Sequence, residues 1–321
     1  MPAPADLATG RRRRPGRPVA NRPRRLRKRV ELTLFLGPAF VLYSALVLVP
    51  MGMAAYYGFF NWTGLGPLDD FVGFDNYRRA FSDPVFRGSV QNNAIIVALS
   101  MLIQLPLALA LALLLNRRMR GRTLLRTVLF APYVLSEVIT AVTWVLLLQP
   151  SGPVDHAMET LGLGRFVQLW LADPDVVLYT MFVVITWKYI GFGIILFLAG
   201  LVAIPDELKE AAAIDGASSW QTTRHIVLPL LGPTVRIWAF LSIIGALQLF
   251  DLIWIMTLGG PAGASSTMVT YLIDHGFKRN EFGYGSAVAM ILFTLSFVVA
   301  LLYQRFVLRR DTEGALTRMA G

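Results

Sequence analysis

Glu137 lies inside an apolar run from Val128 to Leu148, and Lys188 lies inside another from Val176 to Leu201. A charge in such surroundings is costly unless it is hydrated, paired or turned toward a polar passage. Glu137 therefore has two readings: a pathway group that meets a sugar hydroxyl or a basic solute, or a carboxylate paired with a polar neighbour. For Lys188, beside Trp187, a paired or snorkelled ammonium is the simpler reading. Trp144 offers ring surface, Gln248 an amide and Asp251 a second carboxylate, the combination a polar organic solute needs. Tryptophans in apolar runs also pack or anchor, so the chemistry stays open. Gln104 beside Pro106 marks a helix that opens locally. Thiolate chemistry is excluded, because the sequence has no cysteine. His156, His225 and His275 are too scattered for a metal site, and no catalytic residue is assigned.

The elements that carry these groups are apolar. Of 321 residues, 55% are hydrophobic and 16% charged, against about a quarter charged in soluble chains. The apolar residues gather into runs near the 20 or so that a membrane-crossing helix needs. Six spans are expected, at 32–56, 94–115, 128–148, 176–201, 235–256 and 285–303. The expected fold class is an all-α integral membrane protein.

Basic residues give the direction. The segments 1–31, 116–123, 201–233 and 305–321 hold 21 Lys and Arg, against 6 in 57–93, 149–175 and 257–284. Cytoplasmic segments are enriched in Lys and Arg, which places both termini in the cytoplasm of a multi-pass cell-membrane protein. Residues 1–31, with Arg11 to Arg14, Arg17 and the run Arg27-Lys28-Arg29, are expected to form a disordered basic arm near anionic head groups. A nucleic-acid tail is the weaker alternative. The permease-like body covers 32–308, and 309–321 is a cytoplasmic tail. Trp62, Phe71, Phe74, Tyr77, Phe86 and Trp170 suit head-group anchors on the outer side.

The cytoplasmic segment 204–233 carries too much order for a passive connection. Pro205, then Asp206 and Glu207, then Ala211-Ala212-Ala213 make a strong short helix. Asp215-Gly216 supplies a turn. Ser218 and Gln221 have the spacing of a capping box for a second helix, which Pro229 is expected to interrupt. The reading is a rigid helix–turn–helix that either couples to something docked below or lies passively on the membrane.

Glu210-Ala211-Ala212-Ala213-Ile214-Asp215-Gly216-Ala217, eight further residues, and Ile226-Val227-Leu228-Pro229 resemble the EAA signature of binding-protein-dependent ABC importer permeases. Phe71-Val72-Gly73-Phe74-Asp75-Asn76-Tyr77, Trp187-Lys188, Phe250-Asp251, Thr257-Leu258-Gly259-Gly260-Pro261 and Phe282-Gly283-Tyr284-Gly285 extend the resemblance to carbohydrate permeases over nearly the whole chain. The maltose system's larger permease has extra N-terminal spans and a large external domain that this sequence lacks. It is more similar to the short glycerol-phosphate and lactose permeases, so maltose is not implied.

The resemblance implies the six-helix type I importer permease fold. It implies that 204–233 docks in a groove of a cytoplasmic ATPase, with Glu210 in polar contact or bracing the loop. Gly216 would make the turn, Asp215 and Ala217 would keep it compact beside Ala211 and Ala212, and Leu228-Pro229 would end the second helix. The implied partners are a second permease, two ATPase subunits, and an external or lipid-anchored solute-binding protein. The chain has no G-x-x-x-x-G-K-[ST] phosphate loop. ATP and Mg are therefore expected on the partner ATPase, with no cofactor on this chain and no enzymatic activity of its own. A sugar, oligosaccharide or polyol derivative is the expected cargo. A non-sugar ABC permease, an ion-coupled secondary transporter and an intramembrane enzyme are the alternatives.

Overall fold

The computed structural model describes residues 22–308 except Arg118, with side chains from Glu31 onward. Most of the expected arm and all of the tail at 309–321 lie outside the described residues. Within the arm, Arg22 already opens a helix, α1 (Arg22–Tyr43), ten residues before the expected start of the first span. It runs through a π-helical turn (Ser44–Leu48) into α2 (Val49–Tyr57).

The chain divides into two units, one ending at Met53 and one beginning at Ala54. In the first, the apolar side chains from Leu32 to Val49 are largely exposed. That is the surface a helix presents when lipid or another protein is its solvent.

The described part of the second unit is built of helices, apart from an isolated antiparallel bridge between Phe60 and Phe71. α3 (Asp75–Ser82) leads to α4 (Pro84–Leu99), a π-helical turn (Ser100–Gln104) and α5 (Leu105–Asn116). Asp83 caps α4 by accepting from Val85 N at 2.7 Å and Phe86 N at 3.1 Å. Then come α6 (Arg122–Val134), α7 (Glu137–Leu148), α8 (Pro153–Thr160) and the long α9 (Val177–Val202). The segment 204–233 holds α10 (Asp206–Ile214), α11 (Ser219–Thr222) and α12 (Leu228–Leu230). α13 (Gly232–Leu247), α14 (Asp251–Thr257), α15 (Met268–Ile273) and α16 (Phe282–Tyr303) complete the chain.

Four helical stretches are long and apolar enough to cross a membrane: Glu31–Tyr57, Pro84–Asn116, Val177–Val202 and Phe282–Leu308. The number rises to six if each of two bent helix pairs is one span. The expected third span is not straight. α6 and α7 meet at 101°, because Leu135 and Ser136 are both extended and Ser136 starts a new helix by accepting from Ile139 N. The expected fifth span is also interrupted, at 248–250, between α13 and α14.

Backbone groups freed inside an apolar layer need partners. At the second break, Asn93 Nδ2 donates to the Ala246 carbonyl at 2.6 Å, and Thr267 Oγ1 donates to Leu249 at 2.8 Å. α9 is the axis of the packing. Ile194, Phe197 and Leu201 meet Ala108 and Ala112 of α5 and Trp238 of α13. Val177, Met181 and Val184 meet Ile96 of α4 and Leu252 and Ile253 of α14. Gly191 allows the close approach of α6, since a Cβ there would lie 2.5 Å from the Leu129 carbonyl oxygen.

Candidate functional site

The break between α6 and α7 brings two of the five candidate pathway residues together. Lys188, only 2% exposed, donates from Nζ to the carbonyls of Pro132 (3.3 Å), Tyr133 (3.5 Å) and Leu135. These acceptors lie at the carbonyl end of α6, where a cation is also favoured by the helix dipole. The same ammonium lies 3.7 Å from Glu137 Oε1. Glu137 occupies the first turn of α7 and accepts from the Tyr189 hydroxyl at 2.7 Å. Its second oxygen is buried without a partner. Lys188 is thus a paired lysine, while Glu137 is both a pair member and a support for Tyr189.

Tyr189 lines a cavity of about 280 Å³ between α4, α9 and α13. Tyr133, Phe192 and Trp238 give aromatic walls, and Ser100, Gln104 and Ser242 give polar groups. Ser100 and Gln104 are 2% and 3% exposed and sit on the π-helical turn, the local opening expected beside Pro106. Rings with a few convergent hydroxyl and amide groups are the chemistry of a site for an uncharged polyhydroxy solute.

None of the five candidates lines this cavity. Trp144 packs edge-to-face on Trp187 at 5.4 Å beside the α9 core. Gln248 is the exposed C-cap of α13, and Asp251 is the exposed first residue of α14. Sequence reasoning does not find Tyr189, Phe192 and Ser242, because nothing in an α9 with apolar residues on every face, or in a lone serine of α13, tells which face meets a cavity.

The segment 204–233 forms the expected helix–turn–helix. Gly216, at φ +80°, follows α10 in the left-handed region. Its N–H donates to Ala213 O at 3.1 Å, and Ala217 N–H donates to Ala212 O at 2.9 Å. This pair of bonds is a Schellman stop, in which Gly avoids the penalty a Cβ brings. Ser218 at once begins α11: Gln221 N donates to Ser218 Oγ, and Ser218 N donates to the Gln221 side chain at 2.7 Å. Ala212 is buried, while Glu210, Ala211 and Asp215 are exposed. Ile214 is 86% and Trp220 66% exposed, an unusual display of apolar surface beside a rigid turn.

Pro229 does not end the second helix. A π-helical turn (Thr223–Val227) precedes Leu228, and the helix runs through Pro229 to Leu230. The wider turn accommodates a residue without an N–H. The 60° bend falls after Leu230, before Gly232 opens α13.

Residues 104–312 match the family model described as binding-protein-dependent transport system inner membrane component. A probable ABC transporter permease protein of Pyrococcus horikoshii is 36% identical over 85% of this chain and 94% of its own length. The diacetylchitobiose uptake system permease of Streptomyces coelicolor is 33% identical over 87% and 82%. The trehalose/maltose transport system permease of Thermococcus litoralis is 35% identical over 74% and 80%. A chain from the crystal structure of a bacterial ABC transporter involved in alginate import superposes with a TM-score of 0.78, covering 89% of this chain and 99% of that one, at 24% identity, and supports the fold. The chain belongs to the binding-protein-dependent transport system inner membrane component family. It is an ABC-type importer permease subunit.

Proposed function

We propose that this permease carries a sugar, an oligosaccharide or a polyol derivative through an importer driven by ATP on partner subunits. The observation that carries the reading is the compact turn at Gly216, flanked by exposed Ile214 and Trp220 on a protein otherwise built for lipid. Such a turn is stiff enough to receive a push and apolar enough to hold a partner. Relatives named for diacetylchitobiose, lactose and trehalose/maltose uptake support a carbohydrate cargo.

In this reading α6 with α7 and α13 with α14 make the third and fifth of six spans, and the Lys and Arg bias argues for 204–233 and both termini on the cytoplasmic side. An external binding protein delivers solute to the outward-open path. Closure of two ATPase subunits, which hold ATP and Mg, pushes on Glu210, Gly216 and the surrounding turn. The spans of this chain and of a second permease then repack and open the path inward. The solute is moved without covalent change, and hydrolysis belongs to the partner. The closure shifts the equilibrium only because the ATPase binds the two states with different affinity. The π-helical turns and the two broken spans are where repacking costs least backbone pairing.

The pair of buried Lys188 and half-buried Glu137 is the one observation that favours a second reading, an ion-coupled carrier, since such carriers use intramembrane charges. Here the lysine is committed to the α6 carbonyls. The test is uptake into vesicles containing the purified complex: ATP with the binding protein should drive sugar accumulation, and a proton gradient alone should not. Gradient-driven accumulation without ATP would establish the carrier instead. Uptake of a non-sugar solute would keep the importer and overturn the cargo.

A further inference from the structure

A groove of about 940 Å³ runs between α6 and α9 and shares no lining residue with the cavity above. Leu129 and Val134 form one wall and Ile195, Leu198 and Val202 the other. One end closes on Arg122 and Arg126. These two stand one helical turn apart, so like charges face the same groove. Each has its Nε buried without a hydrogen-bond partner. Among the described residues, Arg126 Nη2 donates only to the Leu115 carbonyl, at 3.4 Å. Among the described residues, no carboxylate pairs with either guanidinium. α6 also has no acid in its first turn, so the positive end of its dipole adds to theirs.

From Arg126 to Leu135, α6 rises about 14 Å, close to half of the roughly 30 Å hydrocarbon core of a bilayer. The Arg end of the groove also holds Val202, which leads into 204–233, so the charges sit at that face of the membrane. We propose that the groove holds one anionic phospholipid, with its phosphate on Arg122 and Arg126 and an acyl chain along α6 and α9. Guanidinium groups bind phosphate through paired N–H donors. The charge argues for lipid over a helix of another protein, which would need its own acids to balance two arginines. A zwitterionic lipid has the phosphate but cancels its charge. The groove reaches Leu135, so the acyl chain would brace α6 beside its break.

The full-length chain in mild detergent would be given equal phosphatidylglycerol and phosphatidylcholine of identical acyl chains, and retained lipid counted by native mass spectrometry. The wild type should prefer the glycerol lipid by about 30-fold if each arginine contributes as a basic residue does at an anionic surface. The pair Arg122→Gln and Arg126→Gln should erase that preference. The pair Arg122→Lys and Arg126→Lys should keep most of it, which separates charge from misfolding. Leu198→Trp, filling the groove with both arginines intact, should lower retention. Equal retention by the wild type, or unchanged preference in the Gln pair, would overturn the proposal. So would displacement by free glycerol phosphate as effective as by lipid, or a cross-link from Val202→Cys that finds another polypeptide in the groove.

Discussion

The Lys188 ammonium lies 3.7 Å from the Glu137 carboxylate while it closes the carbonyl end of α6. One buried side chain thus holds both halves of a broken membrane helix. Lys188→Met should cost about 1–3 kcal/mol, the scale of leaving hydrogen-bonding groups without their partner, since it strips the ammonium from the α6 carbonyls and from a half-buried Glu137. Lys188→Met with Glu137→Gln should cost less than the sum of the single changes, since neither charge is then left alone. Thermal unfolding of the four proteins in detergent measures this. Additive losses would contradict the pairing.

A Cβ at Gly216 would meet nothing within 4 Å, so the need for glycine there is conformational alone. Gly216→Ala should cost about 1–2 kcal/mol of local turn stability. Solute-stimulated ATP hydrolysis should fall while the amount of chain in the membrane stays unchanged. Gly216→Asn, which tolerates the left-handed region better, should recover part of the stimulation.

Gly245 lines the 280 Å³ cavity, and a Cβ there would likewise stand in open space. Gly245→Leu should fill that space and reduce solute uptake at least about tenfold, the effect of losing roughly 1.4 kcal/mol of binding. Basal ATP hydrolysis by the complex should persist. Unchanged uptake would move the solute path elsewhere.

Arg79 Nη2 donates to Glu281 Oε1 at 2.8 Å, and His275 Nδ1 lies 2.8 Å from Oε2. Burial would raise the Glu281 pKa, but His275 and Arg79 outweigh it and hold the carboxyl below its usual range. A group lowered in the folded state stabilises above its unfolded pKa and loses that effect as pH falls through the folded one. Hydrogen-exchange protection in 257–281, taken relative to the intrinsic rate at each pH, should therefore fall below about pH 4. Asp83 is also held low, burial being outweighed by the Phe86 and Val85 N–H groups and the Tyr271 hydroxyl. Glu281→Gln should accordingly shrink the acid step without abolishing it, and should exchange faster at neutral pH.

Much of this is legible in the sequence. Uninterrupted apolar length gives α9 to within a residue or two, and the Ser218–Gln221 spacing gives the cap of α11. Glu137 and Lys188 stand out because charge is rare in apolar runs, but their pairing across 51 positions is a tertiary fact. The break at Leu135 escapes notice although Ser136-Glu137 is a helix-start signal, because the apolar run continues through it. Pro229 misleads because its meaning depends on the π-helical turn before it. The cavity face of α9 is hidden because, Lys188 and two threonines aside, its residues are apolar or aromatic all round the helix.

The most direct test of the central claim is solute-stimulated ATP hydrolysis by the reconstituted complex with its binding protein, comparing wild type with Gly216→Pro. Stimulation by a particular sugar in the wild type, lost in the variant while the membrane helices remain folded, is the predicted result. Equal stimulation in both, or uptake by this chain with no ATPase present, would contradict the account.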